Sequence, residues 1–175
     1  MTTQSMKTFI VEDTKTFFTD FRHTFSQAES GDVVWIQSML FEPGIHMESI
    51  VEVLCKAKSN GATVYILIDS FGILTTKEIP IRSILPTSKT QEVKKLNEEK
   101  RILINKLRDA GVNFRISGNK SHLKATIPWL FCNHRKSYGI VNKKTKNYKA
   151  WITGINLAEE SFNQFDIAVC IQNKK

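Results

Sequence analysis

Two β-branched, apolar runs, DVVWIQSML at residues 32–40 and TVYILI at residues 63–68, flank a stretch in which Ile50, Val51, Val53, Leu54 and Ala57 recur at helical spacing. Pro43 and Gly44 end the first run, and Asn60 and Gly61 close the helix. A strand, a helix and a strand within about forty residues make a βαβ unit, with parallel strands and a right-handed crossover. Nearly continuous apolar runs of this kind belong to buried strands. The fold class is therefore α/β.

The rest of the chain fits around that unit. Residues 14–27, TKTFFTDFRHTFSQ, place Phe17, Phe18, Phe21 and Phe25 on one helical face, a core stripe and not a base-stacking platform. Residues 79–90, with Pro80 and Pro86, read as a loop. Residues 91–110 form a long charged helix with Val93, Leu96, Ile102, Leu103 and Leu107 inward, stopped by Gly111, and residues 112–116 a strand followed by a polar loop to Lys124. From Trp129 the pattern becomes strand, turn (NKKTKNYK) and strand, and an apolar strand at residues 166–171 closes the chain. A late hairpin beside an early βαβ unit predicts one domain over residues 1–175, with a mixed, largely parallel sheet flanked by helices on both faces. The tryptophans are assigned to the core.

Charge narrows the partner. There are 25 Lys and Arg against 17 Asp and Glu, a net charge of +8. Residues 88–124 hold ten bases and four acids, and residues 135–149 six bases and no acid. Such concentration favours a phosphate-bearing partner: nucleic acid, an anionic lipid surface or a small phosphodiester. Cys55, Cys132 and Cys170 are odd in number and widely spaced, which fits free thiols in a reducing compartment. Cys132 and His134 have no second pair at zinc-ligand spacing, so no metal or other cofactor is indicated. MTTQSMKTF lacks the pattern of a signal peptide, and no apolar run reaches the ~20 residues of a membrane span. The expectation is a soluble chain, cytoplasmic or membrane-associated in its full-length context.

The chemistry concentrates in HRKSYGIVN, residues 134–142, and ITGINL, residues 152–157. In an extended strand His134 and Lys136 project together. An imidazole that bonds phosphorus, beside an ammonium that neutralises the non-bridging oxygens, suits attack on a phosphodiester. Asn156, just past the return strand, can donate to the same oxygens.

H-x-K after an apolar strand, then a hairpin and G-I-N-L-A-E-E, resembles the H-x-K-x-x-x-x-D and G-[GS]-x-N signature of the phospholipase D superfamily. WIQSMLFEPG, VEVLCKAKSNGATVYILID and Gly72 extend the likeness to the first lobe of cardiolipin synthase-like members. The resemblance implies a phosphohistidine mechanism in which His134 is the nucleophile and Lys136 and Asn156 bind phosphate with Thr153 and Gly154. Asp166 in FNQFD matches the carboxylate that orients the motif histidine. Asn142, Glu160 and Glu42 are candidates to support these groups from behind. Three departures stand out: Val141 occupies the motif Asp position, with Asn142 one place later and able to take the role through a one-residue bulge; Thr153 replaces the first glycine; and the hairpin turn is long.

Only one such motif occurs, whereas the family's sites use two, so the chain reads as the N-terminal lobe of a two-lobe protein. A second H-x-K lobe, in cis or from a homodimer, would then supply the acid for the leaving group. Three functions follow: a phosphodiesterase or phosphatidyltransferase lobe acting on phospholipid, with peripheral membrane contact; a homodimeric nuclease; and a non-catalytic phosphate- or lipid-binding module. His122 repeats the spacing with Lys124 on a polar loop, which lacks the rigidity that phosphoryl transfer needs. His23 and His46 read as solvated or capping, and Asp69 as a strand-end cap.

Overall fold

The computed structural model describes residues 6–69, 91–117 and 134–173. In chain order the elements are β1 (Met6–Val11), α1 (Thr14–Ser26), β2 (Asp32–Leu40), α2 (Ile45–Ser59), β3 (Thr63–Asp69), α3 (Gln91–Asp109), β4 (Asn113–Ser117), β5 (Ser137–Asn142), β6 (Tyr148–Thr153), a 3-10 turn (Glu159–Asn163) and β7 (Ala168–Asn173). The strands form one sheet in the order β1-β7-β6-β5-β2-β3-β4. The predicted βαβ unit is present: β2 and β3 pair in parallel, as do β3 and β4.

The other four pairings are antiparallel, so the sheet is mixed without being largely parallel. One cause is β1, an edge strand antiparallel to β7 that the sequence reading left unassigned, since MKTFIV offers neither alternation nor turn signals. Helices were expected on both faces, and the described ones share one. Strands β2, β3 and β4 step in one direction across the sheet, so two right-handed crossovers place α2 and α3 on the same side. No helix among the described residues is long and apolar enough to cross a membrane.

A single row of side chains shows what holds the layers together. Cys170, Trp151, Tyr138, Ile36, Ile66 and Phe114 are register partners across six strands, and all are buried toward the helices. The α1 stripe closes over them as predicted: Phe17 lies 5.5 Å from the Tyr138 ring and 6.1 Å from Trp151, and Phe25 lies 5.8 Å from Trp151. All four α1 phenylalanines are fully buried, and truncating any one to Ala should cost about 3–5 kcal/mol. Asp13 caps the helix by accepting from Thr16 N at 2.8 Å, which holds its carboxyl below the ordinary 3.8.

On α3 the inward stripe is displaced from the expected one. Lys100, Leu103, Ile104 and Leu107 are buried, while Ile102 is 53% exposed. Spacings of three, four and seven align 100, 103, 104 and 107, and Ile102 falls outside that arc. Cys55 and Cys170 are free thiols, as expected; burial pushes the Cys170 thiol up to about 11, and it is chemically quiet. The opposite sheet face carries Trp35, half-buried, whose indole covers Gly139 so closely that a Cβ there would overlap the ring. The assignment of the tryptophans to the core therefore holds for Trp151 and not for the half-buried Trp35, and Trp129 lies outside the described residues.

Candidate active site

Strand polarity gathers the candidate residues. β2 runs opposite to β5, β5 to β6 and β6 to β7, so the end of β2, the start of β5, the end of β6 and the start of β7 meet at one end of the sheet. His134, Arg135 and Lys136 lead into β5, His134 and Arg135 exposed and Lys136 half-buried. The ladder reaches back to them, because Thr153 N donates to Lys136 O at 3.2 Å. The Lys136 end of the H-x-K segment is thereby fixed to the end of β6.

Thr153, which stands where the signature read above has its first glycine, is fitted to its place by its own bonds. It sits at the end of β6, where extended backbone suits a β-branched residue. Its hydroxyl donates to Ile167 O at 2.8 Å and accepts from Ile155 N at 3.0 Å, stitching β6 to the segment that carries Asp166. Gly154 serves by lacking a side chain: a Cβ there would overlap the Asp166 carboxylate. Asp166 is half-buried and is also close enough to Tyr138 for its charge to be felt by the phenol. Burial, foremost, pushes the Tyr138 hydroxyl well above its ordinary value, so it remains a neutral donor, and it donates to Ile155 O at 2.7 Å.

Asn156 is held by its carbonyl. Leu40 N donates to Asn156 Oδ1 at 3.2 Å, which leaves the Nδ2 amide as the donor end for a substrate oxygen. The next residue is clamped twice: Leu157 N donates to Ser38 Oγ at 3.0 Å, and Leu157 O accepts from Glu42 N at 2.9 Å. Ser38 Oγ in turn donates to Leu40 O at 2.9 Å. The turn bearing Asn156 is thus bolted to the end of β2, with a buried Glu42 at the corner.

Behind that turn, Glu159 accepts from the backbone N–H of His46 at 3.0 Å and approaches His46 Nδ1 at 2.6 Å, capping α2 from a distant segment. The His46 ring stacks on Phe162 at 4.3 Å. His46, read from sequence as solvated or capping, lies in the first turn of α2 and links that helix to the Asn156 turn. Glu160, beside Glu159, is half-buried in the 3-10 turn. Asp69, at the end of β3, accepts from Ser117 Oγ at 3.1 Å, a bond that ties β3 to β4.

Asn142 does not support the site. It ends β5 at the opposite end of the sheet, five residues of extended chain from Ser137 and thus about 17 Å beyond it. Its amide donates to Asp32 Oδ1 at 2.8 Å, and its carbonyl accepts from Lys144 N and Thr145 N, shaping the long hairpin turn. No bulge interrupts the pairing of Asp32 to Gln37 with β5, so the residue cannot move into the role proposed for it. Val141 pairs with Val33 at the same remote end. His122, Lys124, Cys132 and Gly72, with the loops assigned at residues 79–90 and 118–124 and the strand start at Trp129, lie outside the described residues.

Ser38, Tyr138 and Leu40 N were not singled out from sequence. A serine inside the otherwise apolar DVVWIQSML was the available signal, since a buried hydroxyl requires partners.

No protein-family model matches this sequence, and no curated protein matches it. Among solved structures it is similar to Nuc, a phospholipase D family member from Salmonella typhimurium, with 15% identity and a TM-score of 0.56 over 97% of this chain and 83% of Nuc. It is also similar to polyphosphate kinase from Porphyromonas gingivalis, with 12% identity and a TM-score of 0.60 over 94% of this chain and 23% of the kinase. At these identities the likeness is one of fold.

Proposed function

We propose that this chain, which has the phospholipase D superfamily fold, is one half of a phosphodiester-cleaving site with His134 as its nucleophile. The observation that supports it is the convergence of the H-x-K segment, Thr153, Gly154, Asn156 and Asp166 on one sheet end, tied together by hydrogen bonds from β2, β6 and the segment before β7.

A neutral His134 ring nitrogen attacks phosphorus, and the bond to the leaving alcohol breaks as a second histidine, from another H-x-K motif, protonates that oxygen. Lys136 and the Asn156 amide stabilise the charge on the non-bridging oxygens. Asp166 fixes the tautomer of the nucleophile and stabilises its cationic form. Water or an alcohol then attacks phosphorus, the N–P bond breaks, and His134 is regenerated. The second motif comes from a lobe in cis or from a second copy, and exposed Phe165, Ile167 and Ile152 flank Asp166 and Thr153 where such a partner would arrive.

The sequence pattern favours phospholipid as substrate; nucleic acid offers the same diester. The test incubates the full-length protein, with EDTA present, with phosphatidylglycerol, phosphatidylcholine and single-stranded DNA, and looks for an acid-labile phosphohistidine. Trapping it in the wild type and losing it with all turnover in His134→Ala supports the proposal. Turnover that survives His134→Ala removes it and returns the chain to a phosphate-binding module.

A further inference from the structure

The two edges of the sheet, β1 and β4, are built differently. β4 is five residues long, and its row away from the helices is Asn113, Arg115 and Ser117. Polar and cationic groups in that row deter a further strand. β1, MKTFIV, pairs with β7 over six consecutive residues without a bulge and holds no proline. Phe9 is the register partner of Cys170, so Lys7, Phe9 and Val11 face the helices, and Met6, Thr8 and Ile10 face the other side. Met6 is 65% exposed, Ile10 62% and Phe9 39%, which makes the strand apolar and open on both faces. As an edge strand it presents a row of backbone donors and acceptors to whatever lies beside it.

We propose that β1 pairs with β1 of a second copy, antiparallel about a two-fold axis at Phe9, joining the two sheets edge to edge. An axis perpendicular to the sheet keeps every side chain on its own face and makes the contact self-complementary. Phe9 then meets the partner's Phe9, Thr8 meets the partner's Ile10, and Lys7 meets the partner's Val11. Aromatic and β-branched pairs of this kind stabilise a ladder. Charge selects the same arrangement. The strand is cationic near its start, at Lys7, and acidic just past its end, at Glu12 and Asp13. Antiparallel pairing sets each Lys7 beside the partner's acidic end, whereas parallel pairing would set lysine on lysine and acid on acid. Room is available too. A groove of about 650 Å³, with a mainly apolar open lining, runs between Phe9 and Val11 of β1 and Thr16, Thr19 and His23 of α1. The partner's Phe9 arrives on that face of the sheet, at the rim of the groove.

This contact is separate from the candidate active site. Val11 pairs with Ala168 and Ala168 with Thr153, so β1 ends at the sheet end that gathers the candidate residues. An antiparallel neighbour has its own half-site at the opposite end, and the pairing does not bring a second H-x-K motif to His134. The proposal therefore stands or falls independently of diester cleavage.

Sedimentation velocity of the full-length protein from about 1 to about 100 µM measures the pairing, and thermal unfolding checks the fold of each variant. The wild type should pass from monomer to dimer across that range. Ile10→Lys, which places a cation in the outer row as Arg115 does on β4, should raise the dimer Kd at least about tenfold. Lys7→Glu should also weaken the dimer, and Lys7→Glu/Glu12→Lys should recover part of the loss, which a general surface effect would not give. Under mild oxidation Phe9→Cys should yield a covalent dimer, because facing Cα atoms of an antiparallel pair lie about 4.5–5.5 Å apart. Met6→Cys, about 20 Å along the strand from its own copy in this register, should not, and the wild type controls for the native cysteines. A wild type that stays monomeric at about 100 µM overturns the proposal. So does a dimer that Ile10→Lys and Lys7→Glu leave intact, or cross-linking at Met6→Cys and not at Phe9→Cys.

Discussion

Ser38→Ala tests whether the turn bearing Asn156 is held from β2. Ser38 is 1% exposed, and its hydroxyl accepts from Leu157 N at 3.0 Å and donates to Leu40 O at 2.9 Å. Leu157 is fully buried, so truncation leaves its N–H without a partner. An unsatisfied buried donor costs about 1–3 kcal/mol. For a domain of this size 1 kcal/mol moves Tm by about 2–4 °C, which gives a loss of about 2–12 °C. Tyr138→Phe removes the bond to Ile155 O, two residues earlier in the same turn, so the two substitutions share a network. Their double variant should depart from additivity by more than about 0.5 kcal/mol. Thermal unfolding followed by circular dichroism measures all three. On the proposed phosphodiesterase reading, KM should rise in Ser38→Ala, because Asn156 is presented by the loosened turn. A Ser38→Ala protein as stable as the wild type, or strict additivity with Tyr138→Phe, would refute the clamp.

Gly154→Ala should displace the Asp166 carboxylate, costing about 1–3 kcal/mol through overpacking and, on the proposed mechanism, most of the turnover, with the pH–rate profile of the residual activity altered because the carboxylate proposed to orient His134 has moved. Asp13→Asn isolates the α1 cap: the folded-state Asp13 pKa is depressed, so its contribution is complete above about 3.8 and lost as pH falls through the folded value, and urea melts should show the wild-type advantage shrinking below pH 4. Phe165→Ser with Ile152→Ser should weaken any self-association in sedimentation velocity, since these side chains are 87% and 61% exposed beside the half-site; unchanged sedimentation of a dimer would place the interface elsewhere. Lys149→Met breaks the 2.5 Å pair with Asp20 and should cost about 1–3 kcal/mol in Tm measurements, as both side chains are largely shielded.

The strands and helices that carry strong periodicity were legible because period alone decided them: the α1 phenylalanines, β2, β3 and α2 fall where their patterns put them. Edge strand β1 was not, since its pairing with β7 spans most of the chain and leaves no local trace. The α3 face was legible at Leu103 and Leu107 and misjudged at Ile102, and the buried Lys100 was not foreseen because hydrophobicity alone assigns a lysine to solvent. Within the candidate site, the sequence offers residue types and not what holds them in place. Asn142 was judged by its nearness in sequence to Val141, whereas strand geometry carries it to the opposite end of the sheet. Ser38 and Glu159 act by binding backbone groups of distant residues, and Leu40 acts through its own N–H, for none of which a sequence has a symbol.

Trp35 covering Gly139 has a spectroscopic consequence. Trp151 is sealed beneath α1 and Trp35 is half-buried on the other face, so a Trp129→Phe protein would contain two indoles reporting on opposite sides of one sheet. Iodide should quench the Trp35 emission and spare the Trp151 emission. A lobe or second copy settling on the outer face would shift the quenchable component to the blue, whereas repacking of α1 would show in the unquenched one. The chain thus carries its own means of telling an assembly event from a change in its core.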